Sequence, residues 1–481
     1  MFKLTPLTAA ILVIVSAQAM ADDSLSTQDQ TGTANIADVK QTAAPFSSAF
    51  QSQLGQGNDA AALQDTATGT IEQFQIGDFN AGYAEQLFEN NGTITQQQIG
   101  SGNVSHASQS IGLGSNEALQ QQQGSTNFSF IYQEEQEANT AHTSQLGEAN
   151  EANIEQLALG IGNNATVIQF GTANYGTAEQ VGHMAGQINV NQTGEGNYAY
   201  ADQSFGIGGT ATINQLGEFN GTEIWQDSQT ASQATVDQIG STNETVVDQS
   251  FGDNNVAQVL QVGDLNAIYA DQFDSFGSTL ALYQEGTNNV HFTYQTGTSQ
   301  VLTANSVGSE NKVYASNWKG PQKGGQFGSN QRATINQTGT ANVANFTQDG
   351  VGHIMTTNQT GTANTTKVSQ ADSYNELYFD QNGSDNILIS DQRGTTNLAS
   401  GSSNGTGNST SFDQEGTGNL ANTSQSGSDN QITVKQADMM NVAFVTQGGT
   451  GNIANVDQSG VTQTATVQQM GTANQATVLQ Q

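Results

Sequence analysis

A glutamine recurs along this chain from Gln30 to Gln480, mostly in steps of 11 or 12 residues, and that spacing limits the possible folds more than any other feature. The unit is Gln-x-Gly-x-x-Asn followed by five residues and another Gln. Gln337, Gly339, Asn342 and Gln348 form a clean copy, with Ala344 and Phe346 between the last two. Gln75, Gly77, Asn80 and Gln86 form another, as do Gln169, Gly171, Asn174 and Gln180. Two more are Gln215, Gly217, Asn220, Gln226 and Gln469, Gly471, Asn474, Gln480. From Gln169 to Gln295 the steps alternate between 11 and 12, a period of 23; from Gln326 nearly every step is 11, a period of 22, with Ser403 in one glutamine position. The register reaches back through Gln64, Gln53 and Gln41 to Gln30. Internal repetition at 20–50 residues marks a stacked architecture, and a disordered polar tract has no reason to hold such a count.

Parity chooses the secondary structure. Asn and the following Gln are six apart, so on a strand they share a face with the two positions between them. Those positions are small or aliphatic: Ala344 and Phe346, Ile432 and Val434, Ala454 and Val456, Ala476 and Val478. The intervening positions carry polar and acidic residues. This is the period-2 pattern of a half-buried strand, which a helix would scramble. The five-residue arc from Gln to Asn contains a glycine (Gly77, Gly171, Gly217, Gly339, Gly471), suited to a tight reversal at positive φ. Two strands and two arcs make one coil. The expected fold is all-β, a parallel β-solenoid of about 20 coils over residues 30–481, roughly 95 Å tall at the strand spacing of a sheet.

In such a stack each residue lies on its own copy. Inward Gln and Asn amides can donate to one neighbouring coil and accept from the other, forming ladders that satisfy groups otherwise costing a few kcal/mol each to bury. The expected ladder residues are Gln75, Asn80, Gln86, Gln169, Asn174, Gln180, Gln215, Asn220, Gln226, Gln337, Asn342, Gln348, Gln469, Asn474 and Gln480. Immediately before wall glutamines stand Glu85, Glu179, Asp202, Asp248, Asp271, Asp413 and Asp457. Their parity points them outward, where stacked like charges repel and act as gatekeepers against uncontrolled association.

Nine basic residues against 43 acidic ones give a formal charge of −34, which argues against nucleic acid or an anionic membrane surface as partner. The absence of cysteine excludes disulfides and thiolate metal sites. His106, His142, His183, His291 and His353 are scattered with no companion nucleophile, and the acids are spread evenly, so no catalytic, metal or cofactor site is expected and the chain reads as a non-enzyme. Met1–Ala21 reads as a secretory signal, with Lys3, the apolar run Ala9–Val15 and Ala19-Met20-Ala21 as the cleavage site; residues 22–29 then form a short pre-repeat segment. No later stretch is apolar enough to cross a membrane. Asn317–Gln326, holding Lys319, Pro321 and Lys323, breaks the pattern and shortens one step to nine residues.

The Gln-x-Gly-x-x-Asn-x-Ala-x-x-x-Gln pattern resembles the curlin repeat of curli, the amyloid fibres of bacterial biofilm matrix, over nearly all of the chain beyond the signal. The resemblance implies a secreted, cell-surface fibre subunit that polymerises with itself, passes an outer-membrane secretion pore, is kept soluble by a periplasmic chaperone and is seeded by a nucleator subunit. The chain departs from a typical curlin subunit in having about four times as many coils. The last motif runs to Asn474–Gln481 and only residues 22–29 precede the first arc, so both edges are expected to pair with another copy, head to tail. The alternative is a monomeric secreted β-solenoid adhesin or ligand-binding surface protein. An ice-binding variant would need Thr-x-Thr in every coil, and it occurs at Thr210–Thr212 and Thr464–Thr466 without that recurrence.

Overall fold

The computed structural model describes residues 23–317 and 324–481. The signal expected at Met1–Ala21 and the residues Lys319, Pro321 and Lys323 lie outside the described residues. Every described element is a β-strand, and the strands make two parallel sheets, wall A and wall B, that face each other across a thin core. A wall A strand such as Asn164–Thr172 leads through a first corner to a wall B strand such as Tyr175–Val181, and a second corner returns to wall A at Gln187–Glu195. Each strand pairs with its counterpart one coil away, Gln169 opposite Gln192 and Gln180 opposite Gln203. Wall A holds 20 strands, and the chain is a β-solenoid of about 20 turns.

The alternation produces the walls. In Val343–Val351, Ala344, Phe346 and Gln348 are buried between the sheets. Parallel strands need a long crossover; here each wall is the crossover of the other, so a coil has no spare residues. The core is one apolar file of mostly Ala, Val and Ile running the length of the stack. Its width is kept by compensation across the walls. Where wall A carries Gly401 and Ser403, Phe379 and Phe412 fill the space, ring centroids 6.1 Å apart and edge to face.

The first strand, Leu25–Thr33, begins inside the segment that the repeat alone set apart and pairs along its whole length with Ser48–Gln56. At the other irregularity, Lys312–Ala315 and Gly325–Ser329 together occupy one wall B position: Val313 pairs with His291, and Gln326 with Gln295. Gly324 N–H donates to Ser316 O (3.0 Å) and joins the two pieces. The glutamine step is therefore not shortened at Asn317. Gln326 is the ladder residue of that coil, and the residues between the two pieces are an insertion into one strand.

The corners divide the stack in two. Along the first corner each arc holds two left-handed residues, the glycine (Gly171, φ 121°) and the residue before Asn (Ala173, φ 55°). When that second position is Phe and the same position one coil earlier is Gly, the ring lies over that glycine, Phe79 over Gly57 and Phe219 over Gly196. The second corner changes along the chain. From Arg332 onward it repeats the first, giving the 22-residue period. In the middle coils it is broader and carries a third row of single-residue parallel bridges, from Gly114 and Glu137 to Asp253 and Phe276, whereas Asp65–Thr68 and Thr298–Val301 turn as tightly as the first corner.

Candidate functional site

The stack presents four chemical features: columns of buried amides, of which three run most of its length, the corner glycines, the outward acids, and the two coil edges. In the first column Gln75, Gln169, Gln215 and Gln337 donate from Nε2 to Oε1 of Gln98, Gln192, Gln238 and Gln359 at 2.8–2.9 Å, and Gln469 accepts from Gln447 at 2.8 Å. In wall B, Gln86, Gln180, Gln226 and Gln348 donate to Gln109, Gln203, Gln249 and Gln370 at 2.8–2.9 Å, and Gln480 accepts from Gln458 at 2.7 Å. The third column is the corner asparagines. Asn80, Asn174, Asn220, Asn342 and Asn474 donate from Nδ2 to Asn58, Asn150, Asn197, Asn311 and Asn452 at 2.8–3.1 Å.

The columns run in opposite senses. Glutamine amides donate toward the next coil, asparagine amides toward the preceding one. Backbone groups impose this. Gln348 Nε2 also donates to Arg332 O (3.1 Å), while Asn342 Oδ1 accepts the backbone N–H of Asn364 (3.1 Å) and Asn342 Nδ2 reaches Gly361 O (3.1 Å). An amide flip in either column would set donor against donor. The stack is therefore chemically polar, with different groups exposed at its two edges.

The turn glycines Gly77, Gly171, Gly217, Gly339 and Gly471 have φ between 112° and 129°. At Gly77, Gly171, Gly217 and Gly339 the space for a side chain is filled by the glycine carbonyl of the next coil, about 2 Å from where a Cβ would sit. Two wall B coils manage without. Asp372 (φ 74°) and Asp438 (φ 70°) take the glycine position, and their carboxylates accept the N–H of Gly394 (2.8 Å) and Gly460 (2.9 Å), bonds the backbone no longer makes there. One histidine likewise stands in for an amide: His353 Nδ1 accepts from Asn375 N–H (3.3 Å) while its Nε2 donates to Asp349 O (3.1 Å). Burial lowers its pKa, consistent with the neutral tautomer this requires. Neither substitution is visible from the repeat count, because each residue keeps the count and changes only the bonding.

The expected outward acids differ in environment. Asp457 is exposed, and Asp413 shares Arg393 (3.6 Å) with Asp391 (3.0 Å). Glu85 and Glu179 are half-buried, and Glu179 accepts from Tyr200 OH (2.8 Å). Burial raises Asp202 to about 6, opposed by the Ser204 hydroxyl at 2.6 Å; Asp248 is also raised by burial, with Ser250 Oγ donating to it. Asp271 departs from the expectation. It is 2% exposed, bracketed in its column by Asp248 and Tyr294 beside a register shift between Gln272 and Ser275. Burial, then Asp248, pushes its pKa up to about 8. Its parity is outward, but the neighbouring side chains close over it.

Sequence reasoning missed a further column inside the broad second corner. From coil to coil it reads Glu89, Gly112, Gln136, Gly160, His183, Gly206, Gln229, Gly252, Ser275: long polar side chains alternate with glycine. Each long side chain uses the room its glycine neighbour leaves, since a Cβ on Gly112 would lie 1.7 Å from Glu89 Oε2 and one on Gly160 2.2 Å from Gln136 Oε1. A repeat of 46–47 residues thus overlies the repeat of 23, and a signal for it was present in the spacing Glu89, Gln136, His183, Gln229. Glu89 is buried with Oε1 accepting from Asn116 Nδ2 (3.1 Å) and Oε2 unpartnered, and burial raises its pKa to about 7.

The histidines do not converge: His106 lies outward between Tyr83 and Phe130, His183 in the corner column, and His291 in the core. Among the described residues no three His, Asp or Glu side chains gather as metal ligands, and no helix is long and apolar enough to cross a membrane. The architecture defines a class, two-walled parallel β-solenoids with buried amide ladders. Compared with models of known protein families and with curated proteins, the chain matches none.

Proposed function

We propose that this chain is the structural subunit of an extracellular, curli-like functional amyloid that polymerises head to tail in a biofilm matrix and serves adhesion and cell aggregation. The observation that carries the reading is the match between the two edge coils. Strands Thr464–Thr472 and Gln475–Gln480 pair on one side only, as do Leu25–Thr33 and Ile36–Thr42. Stacking the second edge on the first in the register of the repeat sets Gln469 on Gln30, Gly471 on Gly32, Ala473 on Ala34 and Asn474 on Asn35. It then sets Ala476 on Ala37, Val478 on Val39 and Gln480 on Gln41. Every inward residue of the wall B strand meets its own kind.

The ladder senses support the same arrangement. Gln469 and Gln480 present donors at one edge, and Gln30 and Gln41 present acceptors at the other, since they donate inward to Gln53 (2.7 Å) and Gln64 (2.8 Å). Two like edges would oppose donor to donor. An unclosed head-to-tail contact gives a filament, and the subunit fold is already cross-β, so the fibre needs no refolding at the junction. By the curlin resemblance, a secretion pore, a chaperone and a nucleator would complete the system, with the product at the cell surface.

The test is dilution of the chain, without residues 1–21, from denaturant, followed by thioflavin T binding, imaging and fibre diffraction. The expected result is unbranched fibres with reflections near 4.7–4.8 and 10 Å, and fibre ends blocked by Val39→Arg or Val478→Arg. A soluble β-rich monomer at all concentrations would overturn the polymer reading and favour the monomeric adhesin.

A further inference from the structure

The outer faces of the two walls differ although solvent reaches both. On wall A one outward column at mid-stack is neutral and polar, Thr166, Asn189, Thr212 and Thr235, and the next holds Ile168, Asn191, Asn214 and Asp237. On wall B the equivalent columns hold aromatic rings among carboxylates. Tyr83, His106 and Phe130 follow one another edge to face at 4.8 and 5.3 Å. Tyr175 and Tyr198 lie parallel, 6° apart in plane with centroids 5.6 Å apart, and Tyr200 packs on Trp225 at 4.7 Å. Glu179, Asp202, Glu223 and Asp248 stand in the same columns.

Folding does not require these rings, because at mid-stack wall A makes the same sheet without a ring in either of these columns. Yet Tyr83, Tyr198 and Trp225 each leave more than a third of their surface in water. Charge narrows what they face. From Gln41 to Asn311 the chain has no lysine or arginine, so no cationic side chain of that stretch neutralises the acids of wall B. A ligand that satisfies both features has flat apolar faces for the rings and cationic donors for the carboxylates, and it repeats at the rung spacing of about 4.7–4.9 Å.

We infer that the outer face of wall B is a binding platform for a linear polysaccharide bearing free amino groups, laid along the stack. Sugar C–H faces stack on the rings, and the ammonium groups pair with Glu179, Asp202 and Glu223 and lie against the Tyr and Trp faces. Nucleic acid and acidic glycans are repelled by the same wall. A basic peptide would satisfy the acids but has no use for the parallel Tyr175–Tyr198 pair. The platform belongs to each coil stack and is the same on a free chain and in a fibre, so it does not depend on polymerisation.

The test measures binding of glucosamine oligomers, N-acetylated oligomers of equal length and oligolysine to the full chain by calorimetry. Tryptophan emission in a Trp318→Phe background locates the site at Trp225. The glucosamine oligomer is expected to bind and shift that emission, with weaker binding of the other two. Tyr198→Ala with Trp225→Ala is expected to lower its affinity at least about tenfold, while the wall A variant Thr212→Ala leaves it unchanged. All three substitutions are outward, and circular dichroism checks the fold. Should the double variant not fold, competition among the three ligands on the unaltered chain decides. The inference is overturned if the glucosamine oligomer does not bind, if oligolysine binds equally well, if the acetylated oligomer binds equally well, or if ring removal has no effect.

Discussion

Gly339 lies directly against Gly361 of the next coil, so that a Cβ on the first would come 2.0 Å from the carbonyl oxygen of the second. At φ 119° an L side chain is strained as well as crowded. Gly339→Ala should therefore destabilise the stack by about 2–4 kcal/mol, read as a lower denaturant midpoint. Gly451→Ala is the control. It sits at φ 65° with open space around it, in the position where Ala341 is native at φ 57°, and should change stability by less than about 1 kcal/mol. Equal losses at both sites would show that conformation alone, not the contact between coils, makes the glycine necessary.

His291 and Ser306 are a compensating pair. Ser306 stands in a glutamine position of wall A, and the buried imidazole of His291 fills the space across the core, 2.8 Å from Ser306 Oγ, which in turn donates to Gln337 Oε1 (2.8 Å). Ser306→Gln, which restores the consensus, should cost about 1–3 kcal/mol through overpacking. Adding His291→Ala should recover most of it, a coupling of more than about 0.5 kcal/mol in a double-mutant cycle. Additive effects would refute the pairing.

Asp271 makes stability fall as pH rises. Its folded pKa, about 8, lies above the usual aspartate range near 4. Between those values the unfolded chain has lost a proton that the folded chain keeps, so stability is full below pH 4, declines between about pH 4 and 8, and levels above. Asp271→Asn should be more stable than the parent at pH 8 by about 1–3 kcal/mol and equal to it near pH 4. Denaturant midpoints at the two pH values are the measurement. A constant difference would mean that Asp271 is ionised in the fold.

Assembly should share that sign. Glu155, Glu179 and Asp202 are stacked one coil apart on wall B, so every chain added to a fibre brings its own run of like charge. Fibre growth should be faster near pH 4 than pH 8, and salt at pH 8 should speed it by screening. A thioflavin T growth rate indifferent to both would remove the gatekeeper role from these acids and leave the fold as it stands.

The alternating corner column sets a register of two coils. Gly160→Ala should destabilise by about 1–3 kcal/mol, because its Cβ would meet Gln136 Oε1 at 2.2 Å. In the Gln136→Ala background the same substitution should cost less, since the occupying side chain is gone. If the cost is unchanged, crowding against Gln136 is not its cause.

Whatever depends on counting was legible in the order of the residues. Parity placed Ala344, Phe346 and Gln348 on one face, and the equal spacing of Gln337, Gln359 and Gln381 meant that each would lie on the next, because a strand alternates at a strict period of two and a stack repeats at a strict coil length. The tertiary structure decided what depends on neighbours that counting does not see. Asp271 is outward by parity and buried by Tyr294 and the adjoining bulge. Gln326, not Asn317, closes its ladder because hydrogen bonds from Gln295 and to Gln348, at 2.7 and 2.8 Å, select it. Opposite senses in the Gln and Asn columns arise from backbone groups at different heights on the wall and at the corner. Each of these rests on short-range contacts between residues 16 or more positions apart in the chain, and only the closed coil brings them together.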